Sequence, residues 1–261
     1  MQPLTPLVHP AAIIEEGALL GDGVSIGPYS IIEEHAKIGD GSKIGSHVVI
    51  EGWTTVGRDC SVGHGSVLGS APQDKKYRNK KSYVVIGDRN TIREFVTVNS
   101  ATDEGEKTII GDDNLLMAYV HVAHNCVIGN HVILANAVNL GGHITIDDYA
   151  CVGGMTPVHQ FVHIGKHAFI GGASRVAMDV APFVRAAGNP LRASGLNTVG
   201  LVRRGFSAEK RAELKRIYRI FFRSGLTAKE SIEQLGKEFP ASPEAQEFIQ
   251  FVLKSERGMT R

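Results

Sequence analysis

From Ile110 to Val176 an aliphatic residue recurs every six positions without a miss, through Leu116, Val122, Ile128, Leu134, Leu140, Ile146, Val152, Val158, Ile164 and Ile170. A helix repeats at 3.6 residues and a half-buried strand at two, so neither produces this spacing. Six is the period of a β-helix built from hexapeptides, in which one aliphatic side chain per short strand enters the core and three strands close a triangular coil. One coil is then 18 residues, and positions 18 apart stack at roughly the 4.8 Å spacing of paired strands. The fold class expected is mainly β: a parallel β-helix followed by a C-terminal α-helical domain.

The same register runs from Val8 through Ile14, Leu20, Ile26, Ile32, Ile38, Ile44, Ile50, Val56, Val62 and Leu68. Small residues such as Ser30, Ser42, Thr54 and Ser66 occupy a second repeating slot, and glycine often follows the aliphatic, as tight corners require. The register breaks at 70–85 and at 100–109 and resumes in phase at Ile86 and Ile110. These breaks read as loops thrown out of a continuing coil. The first, with Lys75, Lys76, Arg78, Lys80 and Lys81, is too basic to join a core.

Past Val176 the pattern ends in Pro182, Gly188 and Pro190, and from Ser207 the period becomes helical. Three helices are predicted: 207–224, with Leu214, Ile217, Tyr218, Phe221 and Phe222 as its apolar stripe; 227–239, opened by a Thr227–Glu230 capping box; and 243–256, with Pro243 in its first turn. Phe248, Phe251, Val252 and Leu253 are expected to supply their core. The chain divides into a β-helix over 1–190 and a helical domain over 191–261.

No run of 18 apolar residues is present, so no membrane span is expected. Residues 1–21 lack the basic flank and apolar block of a signal peptide and carry Glu15 and Glu16, which suggests a cytoplasmic protein. Cys60, Cys126 and Cys151 read as core filler, and His9, His35, His47, His64, His131 and His167 as surface residues. Net charge is +1, but unevenly spread: residues 203–261 hold 13 basic and 8 acidic side chains, leaving 15 and 19 for the rest. A tail of +5 on a body of −4 suits an acidic protein partner. It does not suit nucleic acid, for which no base-stacking motif is present.

Stacking by 18 collects His124, Gly142 and Gln160 into one column, with His143 one step along. With the run His121-Val122-Ala123-His124, the Gly141-Gly142-His143 triplet, the string from Gly153 to Phe161, the basic loop at 71–81 and the Arg203-Arg204-Gly205-Phe206-Ser207 opening of the tail, the chain resembles the UDP-N-acetylglucosamine 3-O-acyltransferases of lipid A biosynthesis over essentially its whole length. The resemblance implies a left-handed β-helix, a sense the spacing alone does not give, since parallel crossovers are usually right-handed. It implies transfer of a 3-hydroxyacyl group from acyl carrier protein to the 3-position of UDP-N-acetylglucosamine, in a cytoplasmic homotrimer, with no cofactor beyond the acyl carrier and no metal.

By the same resemblance His124 is the general base and the Gly142 N–H the oxyanion donor, chemistry that suits an imidazole facing a poorly nucleophilic hydroxyl. Gln73, Asp74 and Lys76 correspond to loop contacts with the sugar nucleotide, and His121, His143 and Gln160 to pocket contacts. Asn197, Arg203 and Arg204 correspond to the groups that hold nucleotide and diphosphate. Gly172 corresponds to a place where the acyl chain passes. Three positions depart from the family pattern: Asn125 where Asp commonly follows the histidine, Asn99 in place of a His, and Val199 where an acidic residue is frequent. The Asn99 departure leaves a 3-amino sugar nucleotide open as acceptor. Two other readings stand beside the transferase: a hexapeptide carbonic-anhydrase-like enzyme using its histidines for zinc, and a non-catalytic scaffold.

Overall fold

Two-residue strands cannot stand alone, and here each is held by the coils before and after it. The computed structural model describes residues 5–261; the first four residues of the stretch read above for a signal peptide lie outside them. From Ser25–Ile26 on, each two-residue strand carries one outward and one inward side chain, as in Thr145–Ile146 and Cys151–Val152, and the inward ones help form a continuous buried core from Val24 to Val180. The strands lie in three parallel sheets, the faces of a prism: a first face of eleven strands beginning at Leu7–Val8, a second of eight beginning at Ile13–Ile14, and a third of eight beginning at Leu19–Leu20.

Pairing confirms the period and its interruptions. Lys43 pairs with Ser61, 18 residues on, whereas Ser61 pairs with Thr91 and Thr91 with Leu115, 30 and 24 residues on, before Leu115↔Ile133 restores 18. The loops thus insert 30 − 18 = 12 and 24 − 18 = 6 residues without disturbing the coil. They are shorter than expected, because Tyr83–Ile86 and Lys107–Ile110 are four-residue strands paired to each other on the third face, leaving 71–82 and 100–106 outside. Both loops leave from the corner between the second and third faces.

The small-residue slot has a polar task that the spacing did not reveal. The Ser30 and Ser42 hydroxyls donate to the carbonyls of Gly45 and Gly57 and accept from the N–H groups of Val48 and Cys60, which stitches successive corners. Cys60 and Cys126 are buried, as expected, but Cys151 is not core filler: it is the outward member of its strand. His167 likewise is not a surface residue; it is 6% exposed.

After Phe169–Ile170 the first face gains Val184–Ala187 in parallel and Arg192–Leu196 folded back antiparallel. The sheet therefore runs six residues beyond the boundary expected at 190, since 196 − 190 = 6. Four helices follow: α1 (Thr198–Arg203), which the periodicity did not predict, α2 (Ala208–Arg223), α3 (Ala228–Glu238) and α4 (Pro243–Lys254). Ser207, Thr227 and Ser242 cap the last three, Thr227 in a complete capping box with Glu230. Phe221 packs edge-on against Phe248, 5.2 Å between ring centroids, at the centre of the helical core. Leu253, expected in that core, is 60% exposed, because the buried stripe of α4 runs through Phe248, Ile249, Phe251 and Val252.

Truncating Leu140, fully buried in the strand that leads to Gly142, to alanine leaves a cavity among rungs that cannot collapse, and is expected to cost about 3 kcal/mol in urea unfolding.

Candidate active site

Along the corner between the third and first faces the N–H of the first turn residue is taken by a side chain one coil on: Asp22 by Asp40, Arg58 by Asp88, Asp112 by Asn130 and Asn130 by Asp148. At the corner between the second and third faces carboxylates one coil back cover the Glu34 and Gly52 N–H groups, but further along the same corner the Gly142 N–H has no such cover. None of the described residues accepts from the Gly142 N–H. Instead the His124 imidazole fills the space above the glycine: a Cβ on Gly142 would lie 2.4 Å from Cε1 and 2.6 Å from Nε2. Only glycine leaves this room. A partly exposed imidazole and an unpaired backbone donor therefore share one spot.

The His124 ring is fixed from its other side. Its Nδ1 lies 2.9 Å from Asn125 Oδ1, and Nε2 has no partner among the described residues. His143 meets it edge-on at 5.1 Å and is itself stacked on Phe161 at 4.7 Å. On the second face His121 is held by Thr97, whose hydroxyl is 2.7 Å from Nδ1. Burial first, and the charge of His124 second, push the His121 and His143 pKa values below the ordinary histidine value, although Glu106, Asp103 and Asp74 oppose the shift at His143. The two flanking histidines are therefore kept neutral at pH 7 and can serve as hydrogen-bonding groups. His121 and His124 turn their Nδ1 atoms to different partners, and no three metal-ligand side chains converge among the described residues.

The loops overhang this corner. Asp74 and Lys76, with Tyr77, Lys80, Thr102 and Asp103, line a cavity of about 310 Å³, and Thr102 donates to Asn125. Asp74 accepts the Lys76 N–H at 2.8 Å, which shapes the loop tip. Gln73 is exposed, and Gln160 is exposed one coil beyond Gly142. Asn99 does not face the site: it is 2% exposed, and its amide nitrogen donates to Ser70 and Ala71, anchoring the root of the first loop.

The remaining expected residues lie at other corners. Arg203 and Arg204 border a cavity of about 830 Å³ on the first face and its corner with the third, lined also by Tyr149, Cys151, His167 and Phe169. The Arg204 guanidinium lies 4.6 Å from the Tyr149 ring centre. Asn197 caps α1 with its oxygen, accepting from Gly200, and donates to the His167 carbonyl, so its amide is spent on local structure. Val199 stands on the rim, 62% exposed. Gly172 is at the corner between the first and second faces, where a Cβ would approach the Gly154 carbonyl to 3.2 Å. In one chain the His124 corner, the arginine cavity and Gly172 thus occupy different edges of the prism. The sequence reading missed Tyr149 and His167 in the cavity, although His131, Tyr149 and His167 recur at 18 and stack at 4.7 and 4.8 Å.

Two outcomes follow from these contacts. Gly142→Ala forces the His124 ring aside, and should cut turnover at least a hundredfold while the melting temperature moves by only a few degrees. Burial, then the charges of Lys166 and Arg204, push the His167 pKa down to about 4. An unfolded histidine takes its proton near ~6.5, so the unfolded chain binds more protons between those values and stability is lost as pH falls from 6.5 toward 4. His167→Phe, which keeps the stack, should flatten that part of a denaturation-versus-pH curve.

The hexapeptide model of bacterial transferases matches residues 17–52, 35–70 and 107–142, and the model described as Udp N-acetylglucosamine O-acyltransferase, domain 2, matches 179–260. Over 260 residues the chain is 50% identical to the acyl-[acyl-carrier-protein]–UDP-N-acetylglucosamine O-acyltransferase of Paraburkholderia phymatum, covering 97% of this chain and 99% of that one. Its relative of that name in Thiobacillus denitrificans is 51% identical over 256 residues, with the same coverage. The crystal structure of the Francisella novicida UDP-N-acetylglucosamine acyltransferase superposes with a TM-score of 0.95 at 36% identity, covering 98% of this chain and 94% of that one. The Campylobacter jejuni UDP-N-acetylglucosamine acyltransferase gives 0.91 at 42%, covering 97% and 98%. With a six-residue repeat, an imidazole over a bare backbone amide and these likenesses along its whole length, the chain belongs to the acyl-[acyl-carrier-protein]–UDP-N-acetylglucosamine O-acyltransferase family.

Proposed function

We infer that the protein transfers a 3-hydroxyacyl group from acyl carrier protein to the 3-position of UDP-N-acetylglucosamine, the first step of lipid A biosynthesis. The observation that carries the mechanism is the free Nε2 of His124 beside the unpaired N–H of Gly142. Nε2 takes the proton of the sugar hydroxyl as its oxygen attacks the thioester carbonyl carbon. The tetrahedral oxyanion accepts a hydrogen bond from Gly142 N–H, which is already in place and needs no rearrangement. Collapse breaks the carbon–sulfur bond, and the imidazolium returns its proton to the departing thiolate. Asp74, Lys76, Gln73, His121, His143 and Gln160 border the acceptor, and no cofactor or metal enters any step. Paired assays with UDP-N-acetylglucosamine and its 3-amino analogue identify the acceptor; the hydroxyl sugar is expected to be preferred.

The arginine cavity and Gly172 join the same reaction only if copies of the chain sit side by side. A sugar nucleotide touching both His124 and the Arg203–Arg204 pair within one chain would have to cross a whole face of the prism. A homotrimer with sites between neighbouring prisms removes the difficulty and also closes a half-open corner to water. The acidic acyl carrier protein is steered to the basic tail, where Lys215 and Arg219 of α2 are exposed. No helix among the described residues is long and apolar enough to cross a membrane, and a cytoplasmic location belongs to this reading.

His124→Ala and Arg204→Ala should each be folded and nearly inactive. Unfolding and reassembling the two variants together should restore a substantial fraction of activity, because mixed assemblies contain corners with both groups intact. Near-normal turnover by His124→Ala, or no recovery on mixing, would remove the base and the shared site respectively.

A further inference from the structure

We propose that Glu106 is a positioning residue for His124, acting through the Asn125 amide, and that this pair takes the place of a carboxylate set directly against the imidazole. The inference rests on His124 being the base. The amide orientation follows from its partners: the Thr102 backbone N–H, which can only donate, lies 3.1 Å from Asn125 Oδ1, so that atom is the carbonyl oxygen. The Asn125 Nδ2 then donates to the Glu106 carboxylate. His124 Nδ1, 2.9 Å from the same Oδ1, must carry the hydrogen, which leaves the lone pair on Nε2, the atom above Gly142. Asn125 cannot swing away, because its backbone N–H donates to the buried Thr108 hydroxyl at 2.9 Å.

A neutral amide by itself orients an imidazole but does little to stabilise its protonated form. The Glu106 charge on the far side of the amide polarises it and makes Oδ1 a stronger acceptor as the imidazolium forms. Glu106 is exposed, so solvent screens the effect and a modest size is expected. Glu106 is placed by its backbone: its carbonyl accepts the Tyr83 N–H and its N–H donates to Asp103, tying it to the extended strand that ends the first loop. The other ionisable groups around this corner are His121 on the second face, His143 one coil on, Asp74 in the first loop, and Asp103, which is paired with Lys80.

Glu106→Gln keeps an acceptor for Nδ2 and removes the charge. It should lower kcat about fivefold with both KM values within twofold. The acidic limb of the kcat/KM profile should move to lower pH, because the imidazolium loses a stabilising charge. Asn125→Asp puts a carboxylate on Nδ1 directly, where Glu106 becomes a repelling neighbour; in that background Glu106→Gln should raise kcat rather than lower it. Equal losses in both backgrounds, a change confined to KM, or an unmoved acidic limb would overturn the proposal, since a merely structural role predicts them. If His124→Ala is inactive while Glu106→Gln matches the parent, only the Glu106 inference falls; if His124→Ala turns over normally, the base assignment falls first.

Discussion

The hydrogen-bonded stacking of two-residue strands is what everything else in the molecule rests on. A pair such as His121–Val122 contributes one buried aliphatic and two backbone links, to Thr97–Val98 before it and Asn139–Leu140 after it. No such pair would persist in isolation, because fixing its backbone costs more than one buried side chain returns. Stacked in parallel, the pairs share one unbroken core, and each coil is the template for the next. The rigidity that results holds an imidazole and a backbone amide one coil apart at a fixed rise.

Function enters where the stitching is left open. Along the corner between the third and first faces Asp and Asn side chains occupy the turn N–H groups, so that edge is chemically closed. At Gly142 the donor is free and His124 leans over it. The same corner throws out both loops, so the segments able to reach a substrate rise beside the groups able to transform it. Departures from the regular repeat therefore gather at one edge of one face.

The network around Asn125 shows how a departure from a family pattern can be compensated nearby. An amide supplies the geometry of a carboxylate but not its charge, and the charge stands one hydrogen bond further out, on Glu106 in the second loop. That residue is separated from Asn125 by three strands in sequence and meets it only through the coil. Asn99, another departure, turns inward instead and anchors the first loop, so the two substitutions act on different parts of the corner.

The period of six determined the parallel coil, its core residues, the column of His124, Gly142 and Gln160, and the continuation of the register across both loops, because every repeat faces the same steric requirement. The Thr227–Glu230 capping box and Pro243 in the first turn of α4 were legible for the same local reason. Residue type and spacing are identical for either hand of coil, so the left-handed sense came from the family. Tertiary structure alone decided that His167 and Leu253 exchange their expected environments, that Cys151 faces a cavity, and that Arg203 and Arg204 sit on a different edge from His124. Those outcomes depend on how the helical tail folds back over the first face and on contacts between residues far apart in the chain, which no period along the chain encodes.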